Sequence, residues 1–241
     1  METIQTTFRR IEKKYVINRA QMQELQNRLD AYMYGDEFGL HGVSNIYFDT
    51  PDYALIRASV EKPVYKEKFR LRGYSTPGEE DVVFAELKKK YDGVVYKRRV
   101  VSDPRGIEGL LAGRMIPGES EQSQREILWF LRAFRPGPRV FIGYERLAMI
   151  GREDERLRVT FDTDIRFRLD RLRLDAGRDG TLVLPENPIV MEIKIPDAAP
   201  LWLARMLSEM RIYPTSFSKY GACYLRHIAP NFITEGDLYH A

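Results

Sequence analysis

The sequence predicts an α+β chain built on an antiparallel β-barrel tunnel of about eight strands with flanking helices. Two observations carry this. Lys and Arg recur at every second position in short segments: Lys66, Lys68, Arg70 and Arg72; Glu86, Lys88 and Lys90; Lys97 and Arg99; Arg156 and Arg158; Glu192 and Lys194. Side chains alternate between the two faces of a strand, so each set lies on one face. The positions between them are largely apolar (Phe69 and Leu71, Ala85 and Leu87, Leu157, Val159 and Phe161, Met191, Ile193 and Ile195), which gives the opposite face to packing.

Taken in order, residues 10–17 read as a first strand, after which Asn18 caps a helix bearing Met22, Leu25, Leu29 and Tyr32 at helical spacing, ended by Gly35. Strands are expected near 43–49, 64–74, 81–90, 93–101, 139–149, 155–169 and 188–195, with Tyr91-Asp92-Gly93 as a hairpin turn. Short helices are expected at 104–112 and at 121–134, where Ile127, Leu128, Leu131 and Phe134 form an apolar stripe, and two more near 199–211 and 217–228. Prolines 104, 117, 136, 138, 185 and 188 punctuate loops, and without a repeat or long linker the expectation is a single domain over 1–241.

Composition excludes several classes. With 38 basic and 35 acidic residues the net charge is only +3, so the chain is no polycation of the kind that coats nucleic acid. One cysteine and three scattered histidines rule out a disulfide framework and a His-based zinc site. No signal-peptide pattern and no uncharged apolar run of about 18 residues is present, so a soluble, cytoplasmic chain is expected.

The direction of the charged face follows from packing. Apolar helix stripes must cover a sheet face, and only the apolar one suits them, which turns the cations inward. Two like charges ~6 Å apart repel by roughly 3 kcal/mol at an effective dielectric of ~20, so an anion must occupy such a lumen. Arg forks and Lys ammonium groups match phosphate oxygens. The isolated acids Glu12, Glu86, Asp162 and Glu192 read as ligands for Mg²⁺ or Mn²⁺, Glu192 foremost. Lys13, Lys89 and Arg98 have the opposite parity and are set aside. Lys66, Lys90, Arg166 and Arg168 read as strand-end residues in solvent, and Asp49 as a turn or cap residue. Tyr15, Tyr74 and Tyr220 read as wall packing, whereas Tyr144 could stack on a base only from a mouth. Neither a Gly-x-x-x-x-Gly-Lys-[Ser/Thr] loop nor a Gly-x-Gly-x-x-Gly turn occurs.

Nine segments in order resemble the triphosphate tunnel metalloenzymes, and within them the polyphosphate polymerase domain of the vacuolar transporter chaperone (VTC) complex. They are Arg-Ile-Glu-Lys-Lys-Tyr at 10–15, Ile-Tyr-Phe-Asp-Thr-Pro at 46–51, Lys-Phe-Arg-Leu-Arg-Gly-Tyr at 68–74, Glu-Leu-Lys at 86–88, Val-Tyr-Lys-Arg-Arg at 95–99, Gly-Tyr-Glu-Arg at 143–146, Leu-Arg-Val-Thr-Phe-Asp at 157–162, Met-Glu-Ile-Lys at 191–194 and Ser-Phe-Ser-Lys-Tyr at 216–220. The resemblance implies transfer of the γ-phosphoryl of ATP to a growing polyphosphate chain. It assigns catalytic roles to Lys14, Arg70, Arg72, Lys88, Arg146 and Arg158, and substrate binding to Lys68, Lys97, Arg99, Lys194, Ser218 and Lys219. Glu192 would bind Mn²⁺ or Mg²⁺. ATP and inorganic polyphosphate are the implied partners, with no nucleic acid, and a membrane-protein partner not encoded here would place the chain at a membrane. Two departures stand out: Arg10 replaces the first Glu of the Glu-x-Glu-x-Lys carried by hydrolytic and cyclase branches, and Ser216 occupies a position near which the eukaryotic polymerase has a Lys. The alternatives are a tunnel-family triphosphatase and a non-catalytic polyphosphate-binding module.

Overall fold

The computed structural model describes residues 11–78, 81–92, 94–195 and 198–230. Arg10 and Gly93 lie outside them. In chain order the elements are β1 (Ile11–Ile17), α1 (Arg19–Leu29), β2 (Met33–Gly35), β3 (His41–Asp49), α2 (Ala54–Val60), β4 (Tyr65–Tyr74), β5 (Val83–Tyr91), β6 (Val94–Ser102), α3 (Pro104–Leu111), α4 (Glu121–Phe134), β7 (Gly137–Gly151), β8 (Arg158–Arg168), β9 (Thr181–Leu182), β10 (Ile189–Ile195), α5 (Leu201–Glu209) and α6 (Lys219–Cys223), which continues as a π-helical turn, Tyr224–Ile228. Hydrogen-bonded strands follow the order β1-β10-β8-β7-β3-β4-β5-β6, with β2 added to β7 and β9 to β8. This is the α+β, eight-strand antiparallel architecture with flanking helices that the alternation predicts.

Contacts group the chain into two compact units. One comprises the described residues up to His41 with Glu145–Asp164 and Glu186–Phe217; the other comprises Gly42–Tyr144, Ile165–Pro185 and the described residues from Ser218. In the first unit, the apolar face of β1, β8 and β10 (Tyr15, Ile17, Val159, Phe161, Met191, Ile193) packs on Leu25 and Leu29 of α1 and on Leu203, Met206 and Leu207 of α5. In the second, Phe69, Leu71, Ala85, Leu87 and Val100 of β4, β5 and β6 pack on Ile107 and Leu110 of α3 and Ile127, Leu128 and Phe130 of α4. Each fully buried Leu, Ile or Phe contributes about 1.5–3 kcal/mol, so these helix-covered faces supply most of the driving force. In both units the helices lie on the apolar face, as the packing argument requires.

Helix starts follow their caps. Asn18 accepts from the Gln21 amide while the Gln21 side chain accepts from the Asn18 amide, a complete capping box for α1. Asp103 caps α3 ahead of Pro104, and Ser120 caps α4. No helix among the described residues is long and apolar enough to cross a membrane.

Several boundaries differ from expectation. The first helix stops at Leu29 and not at Gly35, because the chain turns through Asp30 and Met33–Gly35 pairs with Gly151–Met149 as a strand. The helix expected from 217 starts at Lys219, where Ser218 accepts from the Gly221 amide. Helix α2 and strand β9 carry no periodic signal and were not foreseen. Of the supposed strand-end cations, Lys66 donates to the Ser59 carbonyl and Arg166 to that of Gly180. Arg168 is 5% exposed, its guanidinium shared among the carbonyls of Arg171, Arg173, Gly177 and Asp179 above the Phe141 ring. The loop after β8 folds back over it, which removes it from solvent. Tyr15 and Tyr220 are buried as read, but Tyr74 is half-exposed, edge-on to Phe84.

Asp49 is the cap residue the sequence suggests. Its carboxylate accepts from the amides of Thr50, Leu55 and Ile56 and from the Tyr220 hydroxyl at 2.9 Å, which fixes both α2 and α6 to β3. Burial raises its pKa from the ordinary value, and those four donors pull it back. Asp49→Ala is expected to cost about 2–4 kcal/mol, the sum of a lost cap and a lost charged hydrogen bond. Urea unfolding with an unchanged slope checks this.

Candidate functional site

In the second unit, register places the side chains of the cationic face in rows. Tyr47, Arg70, Glu86 and Arg99 are cross-strand neighbours; Lys68, Lys88 and Lys97 form the next row, and Asn45, Arg72 and Phe84 another. Glu86, buried at 2% exposure, gathers four cations. Arg70 donates to Oε2 through Nε and Nη2 at 2.9 and 2.8 Å, and Arg99 to Oε1 at 2.9 and 2.6 Å. Lys97 Nζ lies 2.6 Å from Oε1 and Arg72 Nε 3.8 Å from Oε2. Burial alone would favour neutral Glu86, but the charges of Arg70, Arg72 and Lys97 overcome it and hold the carboxyl well below the usual range. The Tyr47 hydroxyl buttresses Arg70, and Asn45 accepts from Arg72 while donating to the Ile142 carbonyl.

With Lys68 and Lys88 in the adjacent row, this face carries six cations to one carboxylate among these seven side chains, an excess of five positive charges. Long side chains held by several contacts are preorganised, so an incoming oxyanion orders little. Lys97 is half-exposed, yet burial, with repulsion from Arg99 and Arg72 and despite Glu86, pushes its pKa down to about 8. Lys68 Nζ donates to the Ser218 hydroxyl at 3.0 Å, and the neighbouring Lys219 ammonium sits 4.5 Å above the Tyr144 ring. Tyr144 is buried, so that ring is not open to a base.

The first unit carries its own set. Lys14, Glu192 and Thr160 form one row across β1, β10 and β8; Glu12, Lys194 and Arg158 form the next. Lys14 Nζ lies 3.7 Å from both Glu12 and Glu192 and 3.4 Å from the Phe217 carbonyl, and Lys194 Nζ lies 3.2 Å from Glu192. Arg146 holds buried Asp162 through two parallel bonds of 2.6 and 2.8 Å. Arg158 is exposed. Two acids read as metal donors, Glu86 and Asp162, are therefore counter-ions, each gripped by Arg forks. Lys89 and Arg98, set aside on parity, do lie on the helix-covered side, paired with Glu126 of α4.

Two arrays of fixed cations, each on the uncovered face of helix-backed strands, match the pattern read from the sequence. The VTC domain family matches residues 9–227. The chain belongs to that family. Among solved structures, a candidate adenylate cyclase from Bacillus halodurans is similar at 14% identity, covering 86% of this chain and 92% of its own, with a TM-score of 0.53. A candidate adenylyl cyclase from Hippeastrum, described as having a dominant triphosphatase activity, shares 19% identity over 89% of this chain and 94% of its own, with a TM-score of 0.52. These likenesses show the fold. Among curated proteins no sequence matches.

For this VTC domain the family implies a divalent metal. Among the described residues no group of three or more His, Cys, Asp or Glu is placed to hold one. The donor chemistry fits a more open site, since Mg²⁺ takes one or two carboxylates and fills its remaining positions with substrate oxygens and water. Glu192 and Glu12, both against Lys14, would supply those carboxylates. Sequence reasoning missed the buttresses Asn45 and Tyr47, although they share the period-two phase of β3; their role depends on register, which no local pattern displays.

Glu86→Gln is expected to lower stability by about 3–5 kcal/mol, because four cations lose their counter-charge. The same linkage makes Glu86 stabilising above the ordinary Glu pKa and progressively less so as pH falls below it toward the depressed folded value. Tripolyphosphate should raise the melting temperature of Glu86→Gln more than that of the parent chain, as differential scanning fluorimetry would register. Affinity for tripolyphosphate should drop as pH rises through about 8, where the Lys97 ammonium is lost. In Lys97→Arg, whose guanidinium stays charged, calorimetric titration should show that component of the drop removed.

Proposed function

We propose that this VTC domain is a polyphosphate polymerase that moves the γ-phosphoryl of ATP onto the end of an inorganic polyphosphate chain. The observation that supports it most is the array around Glu86, in which guanidinium forks and ammonium groups stand fixed before any substrate arrives. Phosphoryl transfer asks a protein for positioning and charge neutralisation more than for covalent chemistry. On this reading Arg70, Arg72, Arg146 and Arg158 clamp the triphosphate. Lys14, Lys88, Lys97 and Lys219 stabilise transferring and acceptor phosphates, and Lys68, Arg99, Lys194 and Ser218 hold the chain. No general base is needed, because the acceptor's terminal oxygen is already ionised. A divalent ion held by Glu192 would neutralise charge on phosphate oxygens. The substrates are then ATP and polyphosphate.

A second reading, a triphosphatase, is favoured by the Hippeastrum protein of the same fold with its dominant triphosphatase activity. A polyphosphate-binding module would share the cation arrays without turnover. Product analysis separates the three. Incubation with ATP and Mn²⁺ or Mg²⁺, followed by gel electrophoresis with a polyphosphate stain, should show long chains. Phosphate as the sole product would establish the hydrolase, and unchanged ATP with tight polyphosphate binding the module. Arg70→Ala and Glu192→Gln should each reduce polymer formation by about 10²–10³-fold, and the folded state should survive, since Glu86 keeps Arg72, Lys97 and Arg99.

A further inference from the structure

Thr160 is the residue in the first unit that neither the cation pattern nor the packing accounts for. It lies on β8 directly across from Glu192, in the row Lys14, Glu192, Thr160. The residue is 5% exposed, and its Oγ1 is closed off from solvent with no hydrogen-bond partner. A hydroxyl shut away from water without a partner costs about 1–3 kcal/mol, and such orphans in native proteins mark a missing water, a missing ion or a functional role. Valine would fill the same volume and avoid the cost. Its flanking strand positions, Val159 and Phe161, are wholly buried in the helix-covered core, so Thr160 points to the opposite side, that of Glu192.

We infer that the Thr160 hydroxyl is an oxygen ligand for the divalent cation held at Glu192. The inference rests on the metal role assigned to Glu192 in the proposed function and deepens it. A hard cation prefers oxygen donors, and a neutral hydroxyl adds one without further negative charge beside Glu12 and Glu192. The Lys14 and Lys194 ammonium groups already balance the two carboxylates, at 3.2–3.7 Å, so a third carboxylate at position 160 would oppose phosphate binding whereas a hydroxyl does not. An oxygen left unsatisfied in the metal-free protein is then compensated when the ion enters.

The experiment titrates Mn²⁺ into the purified chain, reading free Mn²⁺ by electron paramagnetic resonance, for the parent chain and for Thr160→Val, Thr160→Ser and Glu192→Gln, with metal-free melting curves for all four. Thr160→Val keeps the shape and loses the oxygen; Thr160→Ser does the reverse. The expected result is an affinity at least 10-fold weaker in Thr160→Val, within about 3-fold of the parent in Thr160→Ser, and lost in Glu192→Gln, an effect of the size seen when groups around a metal are removed. Metal-free Thr160→Val should melt at or above the parent temperature, which a merely structural hydroxyl would not allow. Equal affinity in Thr160→Val and parent, or a loss that follows the methyl group in Thr160→Ser, overturns the inference and leaves the Glu192 assignment standing. Absence of Mn²⁺ binding by the parent, or undiminished binding by Glu192→Gln, overturns both.

Discussion

The cationic face of β4, β5 and β6 depends on one carboxylate shared among four cations. Glu86 is buried, and alone it would be neutral or would unfold its surroundings; Arg70, Arg72, Lys97 and Arg99 alone would repel one another. Together they form a lattice in which burial sharpens every attraction and fixes the direction of each fork. The charge left over is what an incoming phosphate would meet. The same logic operates on a smaller scale where Arg146 grips Asp162, and where Lys14 and Lys194 flank Glu192.

Such lattices require a rigid support, and the two-faced strand supplies it. Phe69 and Leu71 alternate with Lys68, Arg70 and Arg72, so burying one set against α3 and α4 holds the other in register. Hydrophobic burial thereby offsets the cost of gathering like charge. In the first unit, α1 and α5 serve β1, β8 and β10 in the same way.

That alternation was legible in the sequence because it is local. Period-two spacing announced β4, β5, β6, β8 and β10, the cap at Asn18 announced α1, and the apolar stripe of Ile127, Leu128, Leu131 and Phe134 announced α4. Relations across long stretches of chain were not legible. The bond from Lys68 to Ser218 spans 150 positions, and that from Tyr220 to Asp49 spans 171. Glu86 looked like a metal donor because its partners lie on neighbouring strands, visible only once register is known. Arg168 continued the alternation of β8 and so looked like a solvent residue; the loop that cages it in carbonyls carries no periodic signal.

The shared carboxylate also shapes how this surface tolerates change. Because Glu86 has several partners, exchanging any one of Lys97, Arg99 or Arg70 for a neutral residue leaves it still compensated, and the positive field drops by a single increment without stranding a buried charge. Redundancy of this kind makes the potential of this face adjustable in steps, each of which leaves the buried carboxylate compensated. The carboxylate itself has no such freedom.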